Sequence, residues 1–296
     1  MEYILENDGI RIVIDSHGAE LTSICDIKSG TERLWDADPE FWNRHSPVLF
    51  PFVGGVRNKE YRHKGKTYTI GQHGFARDLE HTPTECGKNS IFFSLSDNEN
   101  TLSKYPFKFL LETGYVLSGN EIKVIWKVTN TGDEDMYFAI GAHPGFMCPI
   151  SADEKQEEYS FLLKDMNGRK IDSFIIRKFG EGGCVKNEDA TITCENGILP
   201  ITEHLFDNDA LVLENSQVGE VSLVNKAGEE TLKVSFDAPL LGLWSPPKKH
   251  APFVCIEPWY GRCDAEDFEG ELKDREHERV LKPEEVFEAE YTITIM

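Results

Sequence analysis

Apolar and polar residues alternate along many short segments of this chain, and this alternation limits the folds it can adopt more than any other feature. Successive side chains of a β-strand point to opposite faces, so a period of two predicts a strand with one buried face. In the segment EIKVIWKVTN the apolar face would consist of Ile122, Val124, Trp126 and Val128. The C-terminal segment VFEAEYTITIM repeats the pattern with Phe287, Ala289, Tyr291 and Ile293. Further predicted strands are IRIVID, KTYTIG, SIFFSLS, FKFLLETGYVL, ATITC, ALVLEN, EVSLVN and TLKVSFD.

Helical periodicity is scarce by comparison. NENTLSKYP and PITEHLF could each form a turn or two, and residues 264–280 could be part-helical. The sequence shows no segments that would form the long βαβ crossovers of a parallel α/β sheet, so that fold is disfavoured. An open twisted sheet rarely exceeds roughly ten strands without splitting into packed sheets, so we predict a large all-β sandwich of antiparallel strands. We interpret residues 151–158 as an acidic surface loop and, with no linker or repeat apparent, predict one domain over residues 1–296.

The charge of the chain narrows the classes of partner. Its 296 residues include 52 Asp and Glu against 31 Lys and Arg, which gives a formal net charge of −21. Such a surface repels phosphate backbones and anionic lipids, so we expect neither a nucleic-acid partner nor a membrane partner. Hydrophobic residues make up 40% of the chain, enough for a large core. Both a monomer and a homodimer stay open.

Seven cysteines are scattered along the chain without paired C-x-x-C spacing, which favours neither a disulfide framework nor a zinc site. The N-terminus lacks the basic and apolar regions of a signal peptide. No run of about 18 apolar residues predicts a transmembrane helix. These features predict a soluble, cytoplasmic protein with reduced thiols.

The segment IGAHPGFMCP places a histidine in an uncrowded turn. Pro144 disfavours a helical backbone at His143. The small residues Gly141, Ala142 and Gly145 leave space for another molecule to approach the imidazole. The alternative interpretation is a histidine that caps a strand end by hydrogen bonding to the backbone.

A carboxylate directly follows the apolar strand fragment FVCI. Burial of Glu257 there costs free energy unless the group is paired or used in chemistry. Aromatic surroundings can raise the pKa of a carboxyl toward the range that a general base needs. Trp259 and Tyr260 also suit the apolar face of a sugar ring. A solvated glutamate beside core aromatics is the alternative.

The segment GQHGFARD supplies a third candidate group. If this segment is extended, His73, Phe75 and Arg77 lie on one face. Arg77 then offers a fork of donors to a hydroxyl, carboxylate or phosphate. Arg57, which follows a Gly-Gly pair, is a similar donor. Surface ion pairs with nearby acids are the alternative for both arginines.

Metal binding and other catalytic templates have little support in the sequence. His73, His143 and Glu257 could be ligands, but they lack the short spacing of known metal motifs, so we predict no metal. The GxSxG, P-loop and GxGxxG patterns are absent from the sequence.

Four segments in this order, QHGFAR, GAHPGF, FDNDALVLEN and CIEPWYG, resemble the aldose 1-epimerase (galactose mutarotase) superfamily, and in particular its LacX-like branch. The resemblance extends across most of the chain. It implies an all-β, galactose mutarotase-like β-supersandwich of many antiparallel strands with few short helices. It also implies a concave sugar site and no cofactor.

The resemblance implies roles for the candidate residues. His143 would be the general acid that protonates the ring oxygen of the sugar. Glu257 would be the base that removes the proton of the anomeric hydroxyl. His73 would hydrogen-bond the sugar near that centre, and Asp209 would hold ring hydroxyls.

The remaining candidates concern binding. Arg57 resembles the substrate-binding arginine of the family. Arg77 matches a pattern similar to that of hexose-6-phosphate mutarotases, in which an arginine helps to bind phosphate. Phe146 and Trp244 are predicted pocket walls, with a core role as the alternative. Galactose mutarotases have a Thr-Asn-His type of segment where this chain has GAH, so the identity of the sugar stays open.

The predicted function is therefore mutarotation, the interconversion of α and β anomers of an aldose or aldose phosphate by acid–base ring opening and reclosure. One alternative is a non-catalytic carbohydrate-binding or sensing protein of the same fold. Another is a glycosidase or lyase, but a glycosidase needs two carboxylates and only Glu257 stands out.

Overall fold

The computed structural model describes residues 1–151 and 153–296, so residue 152 of the predicted acidic loop lies outside the described residues. Its strands, in chain order, are β1 (Glu2–Glu6), β2 (Ile10–Asp15), β3 (Glu20–Asp26), β4 (Thr31–Glu32), β5 (Val48–Leu49), β6 (Glu60–His63), β7 (Lys66–Thr69), β8 (Thr82–Cys86), β9 (Ser90–Ser96), β10 (Phe109–Ser118), β11 (Glu121–Asn130), β12 (Met136–Phe138), β13 (Ile140–Ala142), β14 (Gly145–Met147), β15 (Ser160–Lys164), β16 (Ser173–Phe179), β17 (Val185–Thr193), β18 (Ile198–Pro200), β19 (Leu211–Leu213), β20 (Glu220–Val224), β21 (Glu230–Phe236), β22 (Leu240–Trp244), β23 (Phe253–Tyr260), β24 (Arg279–Leu281) and β25 (Val286–Ile295).

Helical structure is short throughout the described residues. The helix α1 (Glu99–Lys104) lies in the predicted segment NENTLSKYP, and Asn98 caps its N-terminus by accepting hydrogen bonds from two backbone N–H groups. Single 3₁₀ turns span Arg57–Lys59, Ala76–Asp78, Gln156–Glu158, Glu181–Gly183 and Leu272–Asp274. The segment PITEHLF forms turns rather than a helix. Among the described residues, no helix has the length and apolar character needed to cross a membrane.

Two large antiparallel sheets form the sandwich, which confirms the predicted fold class. The first has nine strands in the order β18-β15-β20-β21-β25-β11-β10-β9-β8. The second has eight strands, ordered β17-β16-β19-β22-β23-β13-β5, with β14 also pairing with β23. A four-stranded sheet, β1-β2-β3-β4, and two two-stranded sheets complete the architecture.

The predicted alternation decides which side chains fill the core. On β11 every second residue is buried, beginning with Ile122, as the sequence pattern requires. The same core contains Leu243 and Ile256 of the eight-stranded sheet, so it lies between the two large sheets. Burial of an aliphatic or aromatic side chain contributes roughly 1.5–3 kcal/mol, which makes this shared core the main source of stability.

Strand β23 is buried on both faces, and the two faces have different uses. Its eight residues, FVCIEPWY, are all buried. Val254 and Ile256 point into the core between the large sheets. Cys255 and Glu257 alternate with them and point to the opposite face. That opposite face of the eight-stranded sheet is where a cavity lies.

Candidate functional site

A cavity of about 450 Å³ lies over the eight-stranded sheet, within the usual size range of small-molecule sites. It brings together six of the eight predicted site residues, which are far apart in sequence: His73, Arg77, His143, Asp209, Trp244 and Glu257. Register explains part of this convergence. Glu257 on β23 pairs with Gly242 on β22, while β13, which leads into His143, pairs with β23 on its other side.

His143 and Glu257 form a close pair at the cavity wall. The Nε2 atom of His143 lies 3.4 Å from Oε2 of Glu257. The residues are only 8% and 1% exposed, respectively. Within the described structure, neither Nδ1 of His143 nor Oε2 of Glu257 has a hydrogen-bond partner. Buried polar atoms are normally satisfied, so these two groups are available to a ligand.

Burial changes the pKa values of this pair in opposite directions. Loss of water around the charged form raises the pKa of Glu257 well above its usual value, and the negative charge of Asp209 adds to the effect. Burial lowers the pKa of His143 to about 3, and the positive charge of Arg77 acts in the same direction. Both shifts favour the arrangement in which a proton held by the pair lies on Glu257 and His143 is neutral.

His73 is fixed by a left-handed backbone turn and a reciprocal hydrogen-bond pair. Its φ is 65°. Its backbone N–H donates to the Gly54 carbonyl at 2.8 Å, and the Gly54 N–H donates to its Nδ1 at 3.1 Å. Because Nδ1 accepts, neutral His73 carries its proton on Nε2 and can donate from there. Gly74 must be glycine, since a Cβ atom would lie 2.3 Å from the Phe50 carbonyl oxygen.

The segment GQHGFARD is not extended, so the condition for placing His73, Phe75 and Arg77 on one face is not met. The chain turns at His73 and enters a 3₁₀ turn at Ala76–Asp78. As a result Phe75 packs into the main core, while His73 and Arg77 both line the cavity. The turn thus separates one apolar side chain from two polar ones, which strand alternation would have kept together.

Arg77 brings an unpaired positive charge to the cavity. Its Nη2 donates to the Gln72 carbonyl at 2.9 Å, and its Nε is buried without a partner among the described residues. Burial and the neighbouring Arg44 lower the pKa of Arg77 to about 10. Arg44 also lines the cavity, but its Nη2 pairs with Asp78 at 2.5 Å.

Aromatic side chains form the wall around the imidazole. Trp42 stacks on His143 with ring centroids 4.6 Å apart, and Trp244 meets the same ring edge-on at 5.2 Å. Asp209 stands at the rim with φ of 77°. Trp42 and Arg44 line the cavity without having been predicted from the sequence. Both lie in a loop without periodicity, where an aromatic residue beside an arginine, in FWNR, was the only available signal.

The small residues near His143 make room for an indole. A Cβ atom on Gly141 would lie 2.6 Å from Trp259, and one on Gly242 would lie 2.5 Å from it. The Trp259 Nε1 donates to the Ala142 carbonyl at 3.2 Å. Trp259 lines the cavity from this position, so the two glycines serve packing and bring an aromatic floor beneath the pair.

Two predicted site residues do not line the cavity. Arg57 points to a neighbouring part of the surface, where its Nη1 donates to the Phe268 carbonyl at 3.1 Å and pairs with Glu269 at 3.2 Å. Phe146 lies on β14, where it pairs with Val254 of β23. Its side chain is fully buried in the main core. Contacts with distant parts of the chain turn both side chains away from the cavity, and neither belongs to the site.

Metal-type donors also meet beneath the cavity wall. In the part of the chain that the structure describes, His143, Cys255 and Glu257 form a group whose ligand atoms all lie within 4.8 Å of one another.

Comparison with known proteins agrees with this architecture. A family model described as aldose 1-epimerase matches residues 1–294. The chromosomal LacX protein of Lactococcus lactis subsp. lactis is 35% identical over 300 residues, which cover 99% of this chain and 98% of that protein.

Solved structures match over the full length as well. A galactose mutarotase related enzyme from Lactobacillus acidophilus is 37% identical, with a TM-score of 0.93 over 100% of this chain and 97% of that one. A galactose mutarotase-like protein from Lactobacillus casei ATCC 334 is 29% identical, with a TM-score of 0.92 and complete coverage of both chains. The predicted resemblance is confirmed, and the chain belongs to the aldose 1-epimerase family.

Proposed function

We propose that this protein is a mutarotase that interconverts the α and β anomers of an aldose, with His143 as general acid and Glu257 as general base. The observation that carries the proposal is the buried pair itself, 3.4 Å apart at the wall of a sugar-sized cavity. The aldose 1-epimerase family supplies the substrate class. A protein that only binds sugar has no need of an acid beside a base.

The reaction needs two proton transfers and no redox change. Glu257 takes the proton from the anomeric O1 while His143 delivers one to the ring oxygen O5, and the C1–O5 bond breaks to give the open-chain aldehyde. Rotation about C1–C2 exposes the other face of the carbonyl, and the reverse transfers close the ring. Each such group typically contributes 10²–10⁴-fold to the rate. No cofactor is required for this chemistry.

The pKa directions fit the two halves of this cycle. The closed sugar faces ionised Glu257 and protonated His143, whereas the open sugar faces protonated Glu257 and neutral His143. Burial favours the second arrangement. It therefore stabilises the enzyme form that accompanies the open-chain aldehyde, which is the unfavourable species in water.

The other cavity residues bind and orient the ring. Nε2–H of His73 donates to a sugar oxygen near the anomeric centre, and Asp209 accepts hydrogen bonds from ring hydroxyls. Trp244 and Trp42 cover the apolar face of the sugar. The seven cysteines are all free, which supports the proposed cytoplasmic location.

An aldose phosphate is the second candidate substrate, and Arg77 favours it. Among the described residues, the Arg77 side chain donates only to a backbone carbonyl and its Nε has no partner. Such a guanidinium can form charge-assisted hydrogen bonds to a phosphate. Arg44 lies close enough to lower the pKa of Arg77, so the two charges would act on the same anion.

The test is exchange NMR between α and β anomers of glucose, galactose and glucose 6-phosphate. Wild-type protein should accelerate exchange of at least one sugar, and Glu257→Gln should lose about 10²–10⁴-fold of that rate. Glu112→Gln is the matched control, because Glu112 lies on β10 and outside the cavity. Full activity in the Glu257 variant would remove the assigned base. Sugar binding without acceleration by wild type would replace the proposal with a carbohydrate-binding or sensing function.

A further inference from the structure

Three buried side chains of different donor type meet beneath the cavity. Nitrogen of His143, sulfur of Cys255 and a carboxylate oxygen of Glu257 all lie within 4.8 Å of one another. Cys255 and Glu257 alternate on β23 and so share a face. Their residues are 0% and 1% exposed, and His143 is 8% exposed.

Proton transfer accounts for two of these groups but leaves the third unexplained. Mutarotation as proposed uses His143 and Glu257 and gives Cys255 no role. Nδ1 of His143 and Oε2 of Glu257 lack hydrogen-bond partners among the described residues. A buried sulfur atom within 4.8 Å of an imidazole nitrogen and of an oxygen of this partly unsatisfied carboxylate is the arrangement of a ligand set.

We propose that His143, Cys255 and Glu257 bind a thiophilic divalent cation, best matched by Zn²⁺, and that this ion competes with the sugar. The binding is independent of the proposed function. The proposed inhibition rests on the proposed function, because one ion would hold both proton-transfer groups, His143 and Glu257, at once.

The donor set selects the class of metal. Zinc accepts thiolate, imidazole and carboxylate ligands in tetrahedral geometry, whereas Mg²⁺ and Ca²⁺ prefer oxygen. Three protein ligands would leave a fourth position toward the cavity, which His143 and Glu257 both line. Zinc–ligand bonds of about 2.0–2.3 Å place neighbouring ligand atoms roughly 3.5 Å apart. Side-chain shifts of about 1 Å would therefore close the site.

Charge balance also favours the ion. Binding releases the thiol proton of Cys255 and the carboxyl proton of Glu257 to water as the sulfur–zinc and oxygen–zinc bonds form. One thiolate, one carboxylate and one neutral imidazole around Zn²⁺ sum to zero. A neutral cluster avoids the cost of an uncompensated charge in a buried position.

Zinc titration of the full-length protein, after chelator treatment, tests the site by calorimetry. Wild type should bind one Zn²⁺ per chain, and Cys255→Ser should weaken that binding at least about tenfold, or 1.4 kcal/mol. Cys263→Ser is the matched control: Cys263 is also buried and lines the cavity, but it lies outside the cluster, so its loss should leave affinity unchanged.

Spectroscopy gives a readout that does not depend on activity. Protein loaded with Co²⁺ should show sulfur-to-metal charge-transfer absorption, which Cys255→Ser abolishes and Cys263→Ser retains. If Cys255→Ser fails to fold by circular dichroism, X-ray absorption of zinc-loaded wild type decides, because one sulfur ligand at about 2.3 Å is required. No saturable binding, or a zinc shell without sulfur, overturns the proposal.

The two proposals fail separately. If zinc binds through Cys255 but wild type accelerates no anomer exchange, the metal site stands and the mutarotase assignment falls. If exchange is accelerated and zinc neither binds nor inhibits, only the metal site falls. If both hold, added sugar should weaken zinc binding, and a chelator should restore full exchange rate.

Discussion

The protein buries charge in two adjoining regions, and they differ in how completely their arginines are hydrogen-bonded. Beside the cavity, Arg275 donates from Nε to Asp264 at 2.6 Å, from Nη1 to Glu278 at 2.6 Å and from Nη2 to the Arg262 carbonyl at 2.9 Å. Arg262 in turn donates from Nε to Glu214 at 2.5 Å. Every nitrogen of the Arg275 guanidinium has a partner.

The cavity holds its charged and titratable groups differently. Glu257, His143 and Arg77 each keep a buried atom without a partner among the described residues. Cys263 follows Arg262 in the chain and lines the cavity, so the two regions are neighbours in one structure. In the neighbouring network only Oε1 of Glu278 lacks a partner among the described residues. A buried arginine bonded at every nitrogen holds the chain together, whereas the unsatisfied groups of the cavity can take their missing partner from a ligand.

Removing the centre of the satisfied network should have the largest effect on stability. Arg275→Met would leave Asp264 and Glu278 buried without their partner, and breaking a buried pair in this way costs about 3–5 kcal/mol. Urea denaturation followed by circular dichroism measures the loss. Lys123→Met is the control, because its pair with Glu290 is exposed on both sides and is worth about 0–1 kcal/mol. A loss below 1 kcal/mol in Arg275→Met would contradict the structural role of this network.

Two arginines of the cavity differ in the same way, because Arg44 is paired with Asp78 and Arg77 keeps an unsatisfied Nε among the described residues. Arg77→Gln should raise KM for a sugar phosphate about 10- to 100-fold, since a hydrogen bond to a charged group is worth about 1.5–3 kcal/mol. KM for the unphosphorylated sugar should change little. Arg44→Gln, which removes an arginine already paired with Asp78, should have a smaller effect. Steady-state kinetics on both sugars measure the difference, and equal effects on both would exclude Arg77 as a phosphate contact.

Strand alternation predicted the sheets because it is a local property of the sequence. The buried positions of β11 and β25 follow directly from the spacing of their apolar residues. Five of the six residues that converge lie in the four segments of the resemblance, and Trp244 was predicted separately as a pocket wall. Neither source could place Trp42, whose loop carries no period.

The errors have a common physical cause, which is that sequence spacing does not encode pairing across the sheet. Phe146 entered the core because its register with Val254 turned it inward. Arg57 found partners at Phe268 and Glu269, more than 200 residues away. The group of His143, Cys255 and Glu257 was invisible for the same reason, since β13 and β23 meet only through sheet pairing.

Glu257 should reduce stability as the pH rises, in contrast to a satisfied carboxylate. Its pKa is raised in the folded state above the ordinary value of 4.5. The stability from its protonated form is complete below that value and is lost as pH rises through the folded pKa. Glu257→Gln removes this cost, so its advantage over wild type should grow by at most about 1.4 kcal/mol per pH unit.

Urea denaturation of both proteins at pH 6 and pH 7 measures that difference. Contributions from other titrating groups cancel in the comparison, including the buried Glu278, whose pKa burial raises to about 7. Glu112→Gln should show a difference that does not change with pH. A Glu257→Gln variant less stable than wild type, by an amount independent of pH, would mean that the carboxylate is held by partners as in the neighbouring network.

The smallest expected effect concerns the catalytic rate, because kcat/KM should depend very little on pH. An acid–base pair with ordinary pKa values would lose activity above the usual histidine value of about 6.5. Here burial lowers the pKa of His143 to about 3 and raises that of Glu257, so the imidazole does not titrate near its ordinary value. The ratio kcat/KM should therefore vary by less than about twofold between pH 5.5 and 7.5.

Trp42→Ala, which removes the indole stacked on His143, should admit water and restore a decline of kcat/KM near the ordinary histidine pKa. A wild-type profile that already declines there would show that the cavity does not isolate the pair from solvent, and the contrast between the two buried regions would then rest on hydrogen bonding alone.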